Sequence, residues 1–379
     1  MRASAVSLSL AAMALAAACS SNPSPGSSPR PRQGSRGQSD TMPGNVVIEN
    51  NRPDVSARAG LVIVANQQGA SATVLDAASL KTLATLPVGV GPHEVAVSYD
   101  GRWAVVSNYG DRTTQGNTLS VIDLTAAGAP TVSRTIDLGQ YHRPHGVAFV
   151  GSGNKLAVTS ETSQALLIVD FATGRVDTAL ATNGRGSHMV AAQRDGRRAW
   201  TANIQDGTVT EYDIDRRSTG RTYAAAPMDE GIAVTPGGME VWVGSNSAHT
   251  VTVLSSARGT PMDTITGFGS AYRVGISRSG LIGVISDPAS NRVWLYDVGT
   301  RRRRAEIDLA KVDGVRGPAG DASRAGPEGI AFDPIADVAY VTLNGTNQVI
   351  AVDLHQRKVI GFGQVGAGPD GVAYSPYVR

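Results

Sequence analysis

One string of about eighteen residues recurs along most of this chain, and it constrains the fold more than any other feature. GPHEVAVSYDGRWAVVSN (91–108) aligns with RPHGVAFVGSGNKLAVTS (143–160), GSHMVAAQRDGRRAWTAN (186–203) and DEGIAVTPGGMEVWVGSN (229–246). YRVGISRSGLIGVISDP (272–288) and GPEGIAFDPIADVAYVTLN (326–344) continue the series. Each copy runs on into an alternating segment such as TLSVIDL, ALLIVDF or QVIAVDL, and then into a fourth short segment such as TVSRTIDLG. Gly, Asp and Asn separate the segments, with Asp100-Gly101 and Asp195-Gly196 placed as hairpin turns between first and second strands. The unit is therefore four short antiparallel strands. Extended amphipathic helical stripes are absent, which excludes a helix bundle and a Rossmann fold.

The ends of the array show how it closes. GLVIVANQQGASATVLDAASLKTLATLPVG supplies second, third and fourth strands with no first strand before them, whereas GAGPDGVAYSP is a first strand with nothing after it. Together they make one composite unit. The expected architecture is all-β: a seven-bladed β-propeller of four-stranded antiparallel blades, the ring closed by pairing of the N- and C-terminal strands. Closure removes the free edges that an open row of sheets would expose.

The second strands AVVSN, AWTAN, VWVGSN and AYVTLN, with their flanking PxGVA and VxVID strings, resemble the YVTN repeat of bacterial β-propellers. The likeness covers roughly residues 60–379. It implies the fold and leaves the activity open, since that family spans surface-layer and adhesin-like proteins as well as lactonase-like relatives.

In a propeller the first strand of each blade lines the central channel, so the residue just before Gly-Val-Ala stands at the mouth. Read round the ring, that position holds His93, His145, His188, Glu230, Arg273, Glu328 and Asp370. All are polar or charged, and three of the chain's six histidines fall there. Three imidazoles on one arc form a candidate facial metal set for copper, iron or zinc, with carboxylates to complete or orient it. Inheritance of one ancestral strand-capping His by duplicated blades accounts for the same pattern, and Arg273 works against a cation. The carboxylates also serve as countercharges for Arg273 and a protonated His.

Two long connections emerge on the same face, YGDRTTQGN (109–117) and KVDGVRGPAGDASRAG (311–326). They make Tyr109, Asp111 and Arg112 candidate ligand contacts at the rim, with His142 and Arg143 nearby. Arg301 to Arg304 fall at a turn on the opposite face and read as a solvated run. Trp103, Trp200 and Trp242 recur on second strands and read as packing between blades. There is no nucleophile elbow, Walker loop, GxGxxG after a strand, or HExxH.

The first residues, MRASAVSLSLAAMALAAAC, are an apolar run too short for a comfortable span and read as a secretory signal over 1–18. Leu15-Ala16-Ala17-Ala18-Cys19 resembles a bacterial lipoprotein signal, with Cys19 as the lipidation site, although its leucine stands one place too early. Cys19 is the chain's only cysteine, so no intramolecular disulfide supports the fold. Residues 19–55, rich in Ser, Pro, Gly and Arg, read as a flexible tether, leaving 56–379 for the propeller. The expected location is the periplasm or cell surface, with the membrane as partner through the lipid anchor. A formal net charge of +2 and the lack of interleaved aromatics argue against nucleic acid.

Three functions remain open on these grounds. One is binding of a small ligand, metal ion or envelope protein at the His/Glu-lined mouth. Another is a metal-dependent or lactonase-like enzyme at the same rim, and the third is an interaction or scaffold protein with no small-molecule site.

Overall fold

A computed structural model of the protein describes residues 58–316 and 324–378. The expectations for residues 1–18 and 19–55, including Cys19, lie outside the described residues. Seven four-stranded antiparallel sheets stand in a ring. Blade 1 is composite: its inner strand is Pro369–Ser375, followed outward by Leu61–Asn66, Ser71–Asp76 and Thr82–Pro87. Leu61 pairs with Ser375 and Val64 with Val372, so the two ends of the chain zip into one sheet as the repeat alignment requires. The other blades follow in sequence, with inner strands Pro92–Val97, Pro144–Val150, Ser187–Ala192, Asp229–Val234, Val274–Ile276 and Pro327–Asp333. Among the described residues the helical elements are two three-residue 3-10 turns, Leu309–Lys311 and Asn344–Thr346.

Seven apolar cores form, one at each junction between neighbouring blades. Leu119 and Val121 of blade 2 pack with Phe149, Leu156 and Leu167 of blade 3. Tyr340, Val349 and Ala351 of blade 7 pack with Val62, Val64 and Leu75 of blade 1, so the closing junction has a core like the rest. Trp200 and Trp242 are fully buried in the junctions of blades 4/5 and 5/6, and Trp103 packs at the edge of the 2/3 junction. The middle strands are buried along their length, as LVIVAN and VAYVTL show, whereas the outermost strands alternate or lie exposed. This is sheet-on-sheet packing in which each blade touches its two neighbours.

Local chemistry sets the turns and the channel width. Gly101 adopts φ +73°, the left-handed region, and Asp100 Oδ1 accepts from Ser98 Oγ at 2.6 Å and from Arg102 N at 3.1 Å. On the inner strands, glycine is required by crowding: a Cβ on Gly371 would lie 2.3 Å from His93 O, and one on Gly231 would lie 2.5 Å from Tyr272 O. Four of the seven inner strands carry glycine at this offset, Gly146, Gly231, Gly329 and Gly371, which lets neighbouring strands approach closely there.

The four-arginine run lies in an ion-paired surface turn. Arg301 pairs with Glu240, Arg303 with Glu306 and Arg304 with Asp297.

Candidate functional site

The backbone of three inner strands is held at its start by the blade before it. Ser107 Oγ donates to His145 O at 2.7 Å, Thr159 Oγ1 to His188 O at 2.6 Å, and Thr342 Oγ1 to Asp370 O at 2.6 Å. Pairing with the second strand shifts register at this point in several blades, between Pro92 and Val95, Pro144 and Val147, and Ser187 and Val190. Such irregularities break the two-residue alternation and re-aim side chains. Hence His93 and Glu94, though consecutive, both reach the central network.

The sequence-predicted ring closes on itself. His93 Nδ1 donates to Asp370 Oδ2 at 2.7 Å, and its Nε2 accepts from Gln67 Nε2 at 3.0 Å. The His93 and His145 rings lie 4.5 Å apart between centroids, and those of His145 and His188 3.7 Å apart. His188 Nε2 donates to Glu230 Oε1 at 2.6 Å, and its Nδ1 donates to Glu161. Arg273, 4% exposed, donates to Glu230 Oε1 at 2.6 Å and Glu94 Oε1 at 2.7 Å, with Asp370 Oδ1 at 3.5 Å. Arg273 is thus neutralised by three carboxylates from blades 5, 2 and 1. Glu328 stands apart from Arg273 in its direct contacts and accepts from Asn344 Nδ2 at 3.2 Å.

These contacts divide the histidines chemically. Burial, together with the neighbouring His188, His93 and Arg273, holds the His145 imidazole well below its ordinary range, so it is neutral. Its Nδ1 is buried without a hydrogen-bond partner among the described residues. His188 goes the other way: burial works to lower it, but Glu230 and Glu161 outweigh that and raise it to about 10. Reciprocally, Glu230 falls to about 2 despite its burial, because His188 and Arg273 stabilise the anion. Burial and nearby Asp370 lift Glu328 to about 9, keeping it protonated at neutral pH. Burial likewise raises Asp229, whose oxygens lack partners among the described residues, to about 8.

His145, Glu161 and His188 bring one donor atom each within 4.8 Å of one another, a group able to hold a metal ion. His93, the third histidine of the sequence expectation, lies outside this group; its ring nitrogens are engaged by Asp370 and Gln67, as those of His188 are by Glu161 and Glu230. Tyr109 covers the group, with its Oη donating to Glu161 Oε2 at 2.6 Å and its ring centroid 4.5 Å from that of His93 and 5.5 Å from that of His145. Arg143 stacks over Tyr109 at 4.7 Å and donates to Asp111 O at 2.9 Å. The Asp111 carboxylate caps its own loop at Thr113 N and Thr114 N, and Arg112 is exposed. A cavity of about 450 Å³ lies here, lined by Gln67, His93, Tyr109, Arg112 and Arg143 among others. Of the second insertion, residues 317–323 lie outside the described residues; its described flanks bury Val315 and Ala325 in the junction of blades 6 and 7. His142 has a buried Nδ1 without a partner among the described residues, while His249 donates to Gly269 O and His355 meets Asp337 away from the ring.

Glu161, Gln67 and Glu94 belong to the site without having been singled out by sequence. Glu161 and Gln67 share a repeat offset with Tyr109, Asn246 and Asn344; four of the five directly follow the second strand, and Tyr109 lies near the end of the longer strand Trp103–Gly110. Asn246 and Asn344 donate to Glu230 and Glu328, so this offset supplies polar partners to the ring in five blades, while blades 4 and 6 carry Ile204 and Pro288 there. Glu94 occupies the position of Gly146, Gly231, Gly329 and Gly371, where a carboxylate replacing glycine is the available signal.

No family model and no curated protein matches this chain. The fold is similar to that of a functionally unknown protein from Desulfotomaculum acetoxidans DSM 771, with TM-score 0.69 and 15% identity, covering 84% of this chain and 99% of that one. It is also similar to Kuenenia stuttgartiensis hydrazine synthase, with TM-score 0.62 and 16% identity, covering 76% of this chain and 90% of that chain. At such identities the likeness shows a shared propeller fold and carries no activity across.

Proposed function

We propose that this protein is an exported, lipid-anchored propeller that binds a transition-metal ion at the channel mouth through His145, Glu161 and His188. The observation that carries the reading is the convergence of these three donors around a neutral, buried imidazole whose Nδ1 lacks a partner among the described residues. Imidazole and carboxylate donors suit zinc, copper or iron. Protonated His188, held between Glu161 and Glu230, occupies the electrostatic place of a cation, so a metal must displace its proton. Glu230 then takes the role of orienting carboxylate for His188. A cavity lined by His93, Tyr109, Arg112 and Arg143 adjoins the group on the far side of Tyr109, and none of the three donors lines it. The YVTN resemblance and the Cys19 signal support export and membrane anchoring.

Elemental analysis of the full chain, purified without a histidine tag, tests the metal reading against a His145→Ala/His188→Ala variant of equal melting temperature. One equivalent of copper, iron or zinc is expected in the parent and none in the variant. Titration calorimetry in buffers of different ionisation enthalpy should show proton release on binding. A parent that takes up none of the three metals on reconstitution would overturn the assignment.

A further inference from the structure

The opposite mouth of the channel has a different chemistry. From His93 to Val97 the inner strand of blade 2 advances about 13 Å, so residues at the strand ends form a separate chamber from the histidine ring. A cavity of about 540 Å³ lies there, within the size range of small-molecule sites. Its wall is apolar and aromatic: Val97, Phe149, Ile276 and Phe332, with Tyr99 and Tyr374 at the edges. Tyr99 Oη donates to Phe149 O at 3.1 Å and Tyr374 Oη to Ala59 O at 2.7 Å, which leaves their rings as hydrophobic surface.

Arg194 and Arg278 line this cavity and also a contiguous one of about 220 Å³ beside Val234 and Pro236. Both are exposed, and among the described residues neither guanidinium has a hydrogen-bond or ion-pair partner. Among the described residues no Asp or Glu lines either cavity. The adjacent acid in sequence, Asp195, accepts from Arg197 N at 3.0 Å within its own turn. Other exposed arginines without a side-chain partner among the described residues, such as Arg112, Arg175, Arg258 and Arg302, stand singly in turns and loops, whereas Arg194 and Arg278 share one cavity. Two unpaired guanidinium groups over an apolar chamber form a complement to a molecule with one hydrophobic body and one anionic end.

We propose that this second mouth is a binding site for a small amphiphilic anion, its apolar body seated against Phe149, Ile276 and Phe332 and its acid group held by Arg194 and Arg278. The site is independent of the metal site at the first mouth.

The probe is 8-anilinonaphthalene-1-sulfonate, compared with N-phenyl-1-naphthylamine, which has the same aromatic body without the sulfonate. Titrated against the full chain, the sulfonate is expected to bind saturably with one equivalent and at least about tenfold more tightly than the neutral amine. Arg194→Ala/Arg278→Ala should abolish that preference and leave the amine's affinity unchanged; both positions are exposed, and an unaltered melting temperature checks the fold. Competition by dodecanoate would assign an aliphatic body, and competition by 1-naphthoate an aromatic one. Equal affinity for the two probes, or a double variant that keeps the preference, would overturn the proposal. The His145→Ala/His188→Ala variant should bind the probe as the parent does, which separates this test from that of the metal site.

Discussion

At the residue scale, the channel mouth is a set of charges whose states are fixed by their neighbours. Arg273 is the keystone, since its removal leaves Glu94, Glu230 and Asp370 facing one another in a buried channel. Breaking a buried pair from one side costs roughly 3–5 kcal/mol, so Arg273→Met should lower unfolding free energy in urea by about that amount. Adding Glu94→Gln should recover part of the loss, because the two changes share one network; strictly additive costs would contradict the network. Glu328 gives a pH signature. Its folded value of about 9 lies above the ordinary value of 4.5. The stabilisation from its retained proton is therefore complete below about 4.5 and is lost as pH rises towards 9. Glu328→Gln mimics the protonated form at every pH. The variant's melting temperature should gain on the parent steadily from pH 5 to 9, and parallel curves would show that Glu328 ionises normally.

At the element scale, the repeat explains what could be read and what could not. The positions of His93, His145, His188, Glu230, Arg273, Glu328 and Asp370 were legible because each holds the same offset from a recurring strand, and the fold brings that offset to one mouth. Which donors converge was not legible. It depends on register shifts at the start of the inner strands, which let consecutive residues such as His93 and Glu94 face the same network. It depends also on which residue after each second strand reaches inwards, and Glu161 and Tyr109 do so from neighbouring blades. The tryptophans were read correctly as junction packing, and their burial grades the expected cost. Trp200 is fully buried between blades 4 and 5, whereas Trp103 is half-buried at the edge of its junction. Trp200→Ala should cost about 3–5 kcal/mol in denaturant unfolding and Trp103→Ala clearly less. Similar losses would mean that second-strand burial does not grade the contribution.

At the scale of the whole molecule, stability depends on a ring whose two ends meet in blade 1. Pro369–Ser375 is the inner strand of that blade, pairs with Leu61–Asn66, packs Val372 in the junction with blade 7, and carries Asp370 into the ring. Removing residues 367–379 therefore does more than shorten a tail. It exposes the edge of Leu61–Asn66, strips Val372 and Ala373 from the two junctions of blade 1 and deprives both His93 and Arg273 of a carboxylate. The truncated chain should melt roughly 10 °C or more below the parent, or aggregate through the bared edge. A synthetic peptide of residues 367–379 added in trans should pair with that edge and restore much of the melting temperature, because its backbone bonds and side-chain contacts are those of the covalent strand. A peptide with Asp370 replaced by Asn should restore less, since it rebuilds the sheet without restoring the charge on the ring. Melting unchanged by the truncation would show that the blades hold together without closure. Equal rescue by both peptides would confine the contribution of the last strand to sheet pairing.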